Sequence, residues 1–141
     1  MKSFSIGKLL TSFVALYAAF GSYAFDWNDT HIFNPRWTPH AKFHNAQDML
    51  LGTFAGLLAV YIIWVQKSEA KYRLWLSTAL AGVYWVTQFG AIFFPGTKLI
   101  DPEFSRPGQP PAQLIVDIVM IVLLTIAYIF ERNRIIKQKL I

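Results

Sequence analysis

Apolar and polar positions alternate in blocks along this chain. Residues 9–25, 49–65 and 74–94 contain no Asp, Glu, Lys or Arg, and residues 112–130 contain one, Asp117. Each block runs about 17 to 21 residues, close to what a helix needs to cross a hydrocarbon core of roughly 30 Å. Polar stretches of distinct character separate them. Residues 26–48 are polar and aromatic, 66–73 form a short charged turn, 95–111 are rich in Pro and Gly, and 131–141 form a charged tail. In lipid, a helix satisfies its own backbone hydrogen bonds, so four such blocks predict four spans. The expected architecture is an all-α, four-helix transmembrane bundle. It forms a single integral membrane domain with spans at about 9–25, 49–65, 74–94 and 112–130 and two structured outer loops.

Composition supports this reading. Hydrophobic residues make up 55% of the 141 and charged residues 15%, against roughly a quarter charged in soluble domains. Charge then orients the bundle. Lys2, Lys8, Lys67, Lys71, Arg73, Arg132, Arg134, Lys137 and Lys139 fall on one side, and Arg36, Lys42, Lys98 and Arg106 on the other. The side with more basic residues belongs in the cytoplasm, so both termini are expected there and the long loops face the periplasm or an organelle lumen. The net charge of +5 then meets lipid headgroups and calls for no nucleic acid. The bilayer is the expected partner, in a cell inner membrane or an organelle membrane. Ile135, Ile136, Leu140 and Ile141 among the tail charges suggest an amphipathic end on that surface or a helix extension in solvent. A rival reading of the first block is a secretory signal peptide, with Lys2 and Lys8 before the apolar run and small residues around Ser22-Tyr23-Ala24. The absence of cysteine excludes disulfides, thiolate ligands and cysteine nucleophiles.

Candidate chemistry concentrates in residues 26–48, which hold all three histidines. Thr38 is a good N-cap and Pro39 suits the first helical position, so a helix is expected to start there and run into the second span. His40 and His44 then sit one turn apart with Gln47 or Asp48 on the same face. Such a pair can exchange protons near neutral pH or chelate a metal, and it can equally sit at a membrane interface bonded to water. His31 and Asp29 can fold over to complete the group. Trp27, Trp37, Trp64 and Trp75 lie near span ends, where aromatic residues anchor helices, whereas Trp85 lies inside the third span. Within the membrane, Asp117 in the fourth span and Gln88 in the third are costly to bury and should face the bundle interior. Asp48, Gln88, Asp117 and the histidines share the outer half, so one polar cluster is expected beneath the outer loops, with Trp37, Asp48, Trp85 and Gln88 lining a pocket. Asp101 and Glu103 are further carboxylates of the second outer loop.

The run from Asn28 to Trp37, continuing through Pro39, His40, Ala41, Lys42, Phe43 and His44, resembles the signature of a family of small four-helix membrane proteins of unknown function. Phe94-Pro95-Gly96-Thr97 and Asp101-Pro102-Glu103 are similar to a second motif of that group. The resemblance covers nearly the whole chain and implies four spans without a reaction. A weaker, architectural likeness is to membrane isomerases of the sterol-isomerase type, which implies a lipophilic substrate enclosed among helices.

Three functions follow as expectations. The first is an acid–base enzyme, isomerase-like, acting on a lipophilic small molecule, with His31, His40, His44, Asp29 and Asp117 as catalytic candidates. The second is a divalent metal site with His31, His40 and His44 as ligands and a carboxylate beside them. The third is a non-enzymatic subunit or assembly factor whose outer loops dock a partner.

Overall fold

The computed structural model describes residues 4–139. Four helices follow in order: α1 (Ile6–Asp26), α2 (Pro39–Trp64), α3 (Ala70–Ala91) and α4 (Ala112–Gln138). Strands are absent among the described residues. α1, α2 and α4 are long and apolar enough to cross a membrane. α3 is long enough, but Lys71, Arg73, Ser77, Thr78, Thr87 and Gln88 lower its apolarity.

Local chemistry sets the helix ends. The Ser5 hydroxyl caps α1 by accepting from the Lys8 backbone N–H at 3.1 Å. Thr38 caps α2 by accepting from the Ala41 N–H at 3.2 Å, with Pro39 at the first position, as the sequence predicts. Glu69 caps α3, accepting from the Tyr72 N–H at 3.0 Å and from Lys139 Nζ at 3.2 Å. The backbone bond from Tyr72, more than the lysine, holds this carboxylate below its ordinary pKa. α3 stops at Ala91, three residues before the apolar block ends. The Thr97 hydroxyl folds back to share its one hydrogen between the carbonyls of Ala91 and Phe94, at 3.0 and 2.9 Å, and Gly96 turns the chain with φ 84°.

α1 packs against all three other helices, α3 bridges α2 and α4, and α2 and α4 do not meet. The cross-section is therefore a rhombus with α1 and α3 on its short diagonal. Small residues let the backbones approach. Gly52 and Gly56 of α2 lie against Ala15, Ala18 and Ala19 of α1, and a Cβ on Gly52 would stand 2.6 Å from the Ala18 carbonyl oxygen. Gly52-x-x-x-Gly56 is the spacing that brings two membrane helices into close contact. The Thr53 hydroxyl donates across this seam to the Ala19 carbonyl at 2.9 Å. Size and burial are inverted relative to a water-soluble bundle. Ala15, Ala18, Ala59, Ala81 and Ala127 are buried, while Phe13, Phe20, Phe54, Leu57, Ile118 and Val122 face outward. Hydrocarbon around the bundle accounts for that pattern, because lipid tails are as apolar as the exposed side chains.

At the end holding both termini, Glu131 is buried and accepts hydrogen bonds from the Ser5 hydroxyl and from Arg134 Nε at 3.1 Å. Lys8 Nζ lies 5.1 Å over the Trp64 ring, whose Nε1 donates to Ser12 at 2.8 Å. Ile135 packs with Ile63 and Leu74. The tail as far as Gln138 continues α4 as a helix extension, anchored by Glu131 and Ile135 and exposed from Lys137 onward. Leu140 and Ile141 lie outside the described residues.

Candidate functional site

At the opposite end, α1, α2, α3 and α4 and the two long loops surround a cavity of about 620 Å³. Each helix presents one face to it. Ser22 and Asp26 come from α1, one turn apart; Asn45 and Asp48 from α2; Tyr84, Trp85 and Gln88 from α3; and Gln113 and Val116 from α4. Tyr17, Phe25, Trp37 and Phe104 supply further aromatic wall, and Lys98 and Asp101 come from the second loop.

The loops are tied to each other and to the helices. Asn34 is buried, with its Oδ1 accepting from the Arg36 N–H at 2.9 Å and its Nδ2 reaching Glu103 at 3.5 Å. Arg36 forms an ion pair with Glu103 and stands over the Phe104 ring. The first loop therefore closes onto the second.

His31 is held by a chain of side-chain bonds that fixes its protonation geometry. Asn28 Nδ2 donates to the Phe25 carbonyl at 2.6 Å, which turns Asn28 Oδ1 toward Thr30. The Thr30 hydroxyl gives its one hydrogen to that oxygen at 2.6 Å. Towards His31 Nδ1, 2.7 Å away, the same hydroxyl can only accept, so Nδ1 carries the ring proton and a neutral ring has its lone pair on Nε2. Asp26 Oδ1 lies 3.7 Å from Nε2, and Asn45 Nδ2 reaches Asp26 Oδ2 at 3.4 Å. Trp37 packs edge-on to the imidazole at 5.2 Å.

Of the residues singled out from sequence, His31, Trp37, Asp48, Trp85 and Gln88 line the cavity. Asp117 is fully buried one turn deeper than Gln113 on the same face of α4, and neither of its carboxylate oxygens has a hydrogen-bond partner. His40 and His44 do pair, with Nε2 atoms 3.0 Å apart and His44 Nδ1 3.2 Å from Gln47. They sit on the exposed side of α2 and do not line the cavity, and Asp29 is exposed on the loop. The three histidines therefore do not converge. Among the described residues no group of three His, Asp or Glu side chains is placed to hold a metal ion.

Three cavity groups do not stand out in the sequence. Asp26 looks like the first residue of a loop but is the last of α1. Ser22 looks like part of a small-residue cleavage site but is buried in the bundle. Asn45 follows a histidine that draws attention away from it. For Asn45 the available signal is register, since Asn45 and Asp48 lie one turn beyond Met49 and Gly52 on the stripe that continues through Gly56.

No curated protein and no solved structure matches this chain. The model of a family of unknown function (DUF6640) matches residues 10–140, and the chain belongs to that family.

Proposed function

We propose that this is an integral membrane protein of four spans, with both termini cytoplasmic, that takes a lipophilic small molecule into the outer cavity and exchanges a proton with it through His31. The 22 residues of α3 extend about 33 Å, enough to span beside the other three. The excess of basic residues at the terminal end supports the orientation. The observation that carries the functional reading is His31 on the wall of an aromatic cavity, with the Thr30 hydroxyl at Nδ1 and Asp26 opposite Nε2. Such a ring accepts a proton at Nε2 and returns it to another position of the same molecule, while Asp26 balances the charge that forms. The net result is an isomerisation, with no atom gained or lost. Asp117 is buried one turn beyond Gln113 and does not line the cavity.

The test uses the protein extracted from its own membrane. Native mass spectrometry is expected to show a bound lipophile, and incubation in heavy water is expected to place deuterium on carbon in it. His31→Gln is expected to retain the lipophile and lose the exchange. Deuterium incorporation that survives this substitution removes His31 from the chemistry.

A further inference from the structure

The cavity wall is unevenly supplied with charge and with hydrogen-bonding partners. Three carboxylates line it, the half-buried Asp26 and Asp101 and the exposed Asp48, against one lysine, the exposed Lys98, and His31, which Asp26 faces. Arg36, the other cation near the mouth, is taken up by Glu103. An acceptor without a donor adds to the imbalance: Asn45 Oδ1 is buried and has no hydrogen-bond partner. Trp85 and Ser22, 2% and 5% exposed, line the floor, and Trp85 Nε1 and Ser22 Oγ have no partner either. Buried polar groups left unpaired cost free energy, so a site with several is built for a ligand that completes them.

We infer that the ligand of this cavity is an amphipathic amine: an apolar body carrying a protonated amino head, with an oxygen near it. This rests on the reading above that the cavity holds a lipophilic molecule, and it names the class. The ammonium supplies positive charge and N–H donors to Asp48, Asp26 and the Asn45 carbonyl. Tyr84 and Trp85 offer ring faces beside it, where a desolvated cation is further stabilised. The oxygen accepts from Trp85 Nε1, and the hydroxyl of Ser22 adapts to either role. Tyr17 and Phe25 contact the apolar body. An anionic head would meet three carboxylates and one exposed lysine. A neutral alcohol would leave the acceptors without a cation.

The chemistry has two sources, a free long-chain amine and the headgroup of an ethanolamine phospholipid. The test holds the protein in uncharged maltoside micelles and follows tryptophan fluorescence on addition of dodecylamine, dodecanol or dodecanoate. Dodecylamine is expected to bind at least tenfold more tightly than dodecanol, and dodecanoate more weakly than either. Asp48→Asn is expected to weaken the amine about tenfold, the loss of one charge-assisted bond, and to leave dodecanol unchanged. Asp101→Asn, in the loop, repeats the measurement on a residue outside the helices. Competition by phosphatidylethanolamine at equal strength identifies the headgroup as the source, and failure to compete identifies the free amine; either supports the inference. Equal binding of amine and alcohol overturns the inference and leaves the cavity reading standing. No binding of any of the three overturns both.

Discussion

Replacing Gly56 or Gly52 by alanine tests whether the α1–α2 seam holds the bundle together. An added Cβ on Gly52 would lie 2.6 Å from the Ala18 carbonyl oxygen, and one on Gly56 would lie 2.9 Å from the Ala19 Cβ and overlap the Ala15 carbonyl. These partners are helix backbone and short side chains, so neither can swing away. To regain ordinary contact the helices must separate by about 0.8 Å for Gly52 and by more for Gly56, a gap that forfeits a quarter to a half of the dispersion energy of the atoms facing it. The same displacement carries the Thr53 hydroxyl, now 2.9 Å from the Ala19 carbonyl, beyond bonding distance, at a cost of about 0.6 kcal/mol. With overpacking strain of about 1–3 kcal/mol, each substitution is expected to destabilise by about 2–4 kcal/mol. The assay is unfolding in mixed micelles of rising SDS content, followed by tryptophan fluorescence. Gly90→Ala is the control. Nothing lies within 4 Å of its added Cβ, and an alanine in a helix is favoured over glycine by about 0.5–1 kcal/mol. If Gly56→Ala unfolds at the same SDS fraction as Gly90→Ala, the close seam is not what stabilises this fold.

Glu131→Ala removes a buried carboxylate and strands its partners, so it is expected to cost about 3–5 kcal/mol in the same SDS titration; a cost below about 1 kcal/mol would show that this end opens to water. The chain has no cysteine, so single substitutions report topology. Ser105→Cys is expected to react with an impermeant maleimide added outside intact cells or sealed organelles, and Lys67→Cys only after permeabilisation. The opposite labelling pattern inverts the orientation. Arg36→Glu and Glu103→Arg are each expected to speed proteolysis within the outer loops, and the double exchange to restore resistance. The pair is partly exposed, at 60% and 29%, so the coupling should be about 1 kcal/mol or less. Two single effects that simply add would mean the loops are joined by something else.

The four helices were legible because a charge-free run of that length is the mark of a membrane span and is rare elsewhere. Their ends were legible where a cap is local, as at Thr38, and not where a later residue reaches back, as Thr97 does to Ala91. The site was partly legible. Spacing correctly pairs His40 with His44, but periodicity gives relative facing and not which face turns inward. That was decided by the stripe Gly52, Ala55, Gly56 and Ala59, the narrow side of α2 that meets α1. Extended one turn toward the N-terminus, it arrives at Asn45 and Asp48 and passes His44 by. His31 and Asp26 meet through the loop bonds of Asn28 and Thr30, which no helical period encodes.

The two ends of the bundle differ in a way that bears on traffic. Below Trp85 the interior is filled by Val14, Ala15, Ala59, Ala81 and Leu124, none more than 6% exposed. Beyond them Glu131, Ser5 and Arg134 lock the far end. The cavity is a cul-de-sac. Whatever enters must leave by the same mouth or part a contacting helix pair, because α1 and α3 each meet both α2 and α4 and so close all four sides of the bundle. The described core leaves no passage from the cavity to the far end, so a molecule held there stays at one end of the bundle.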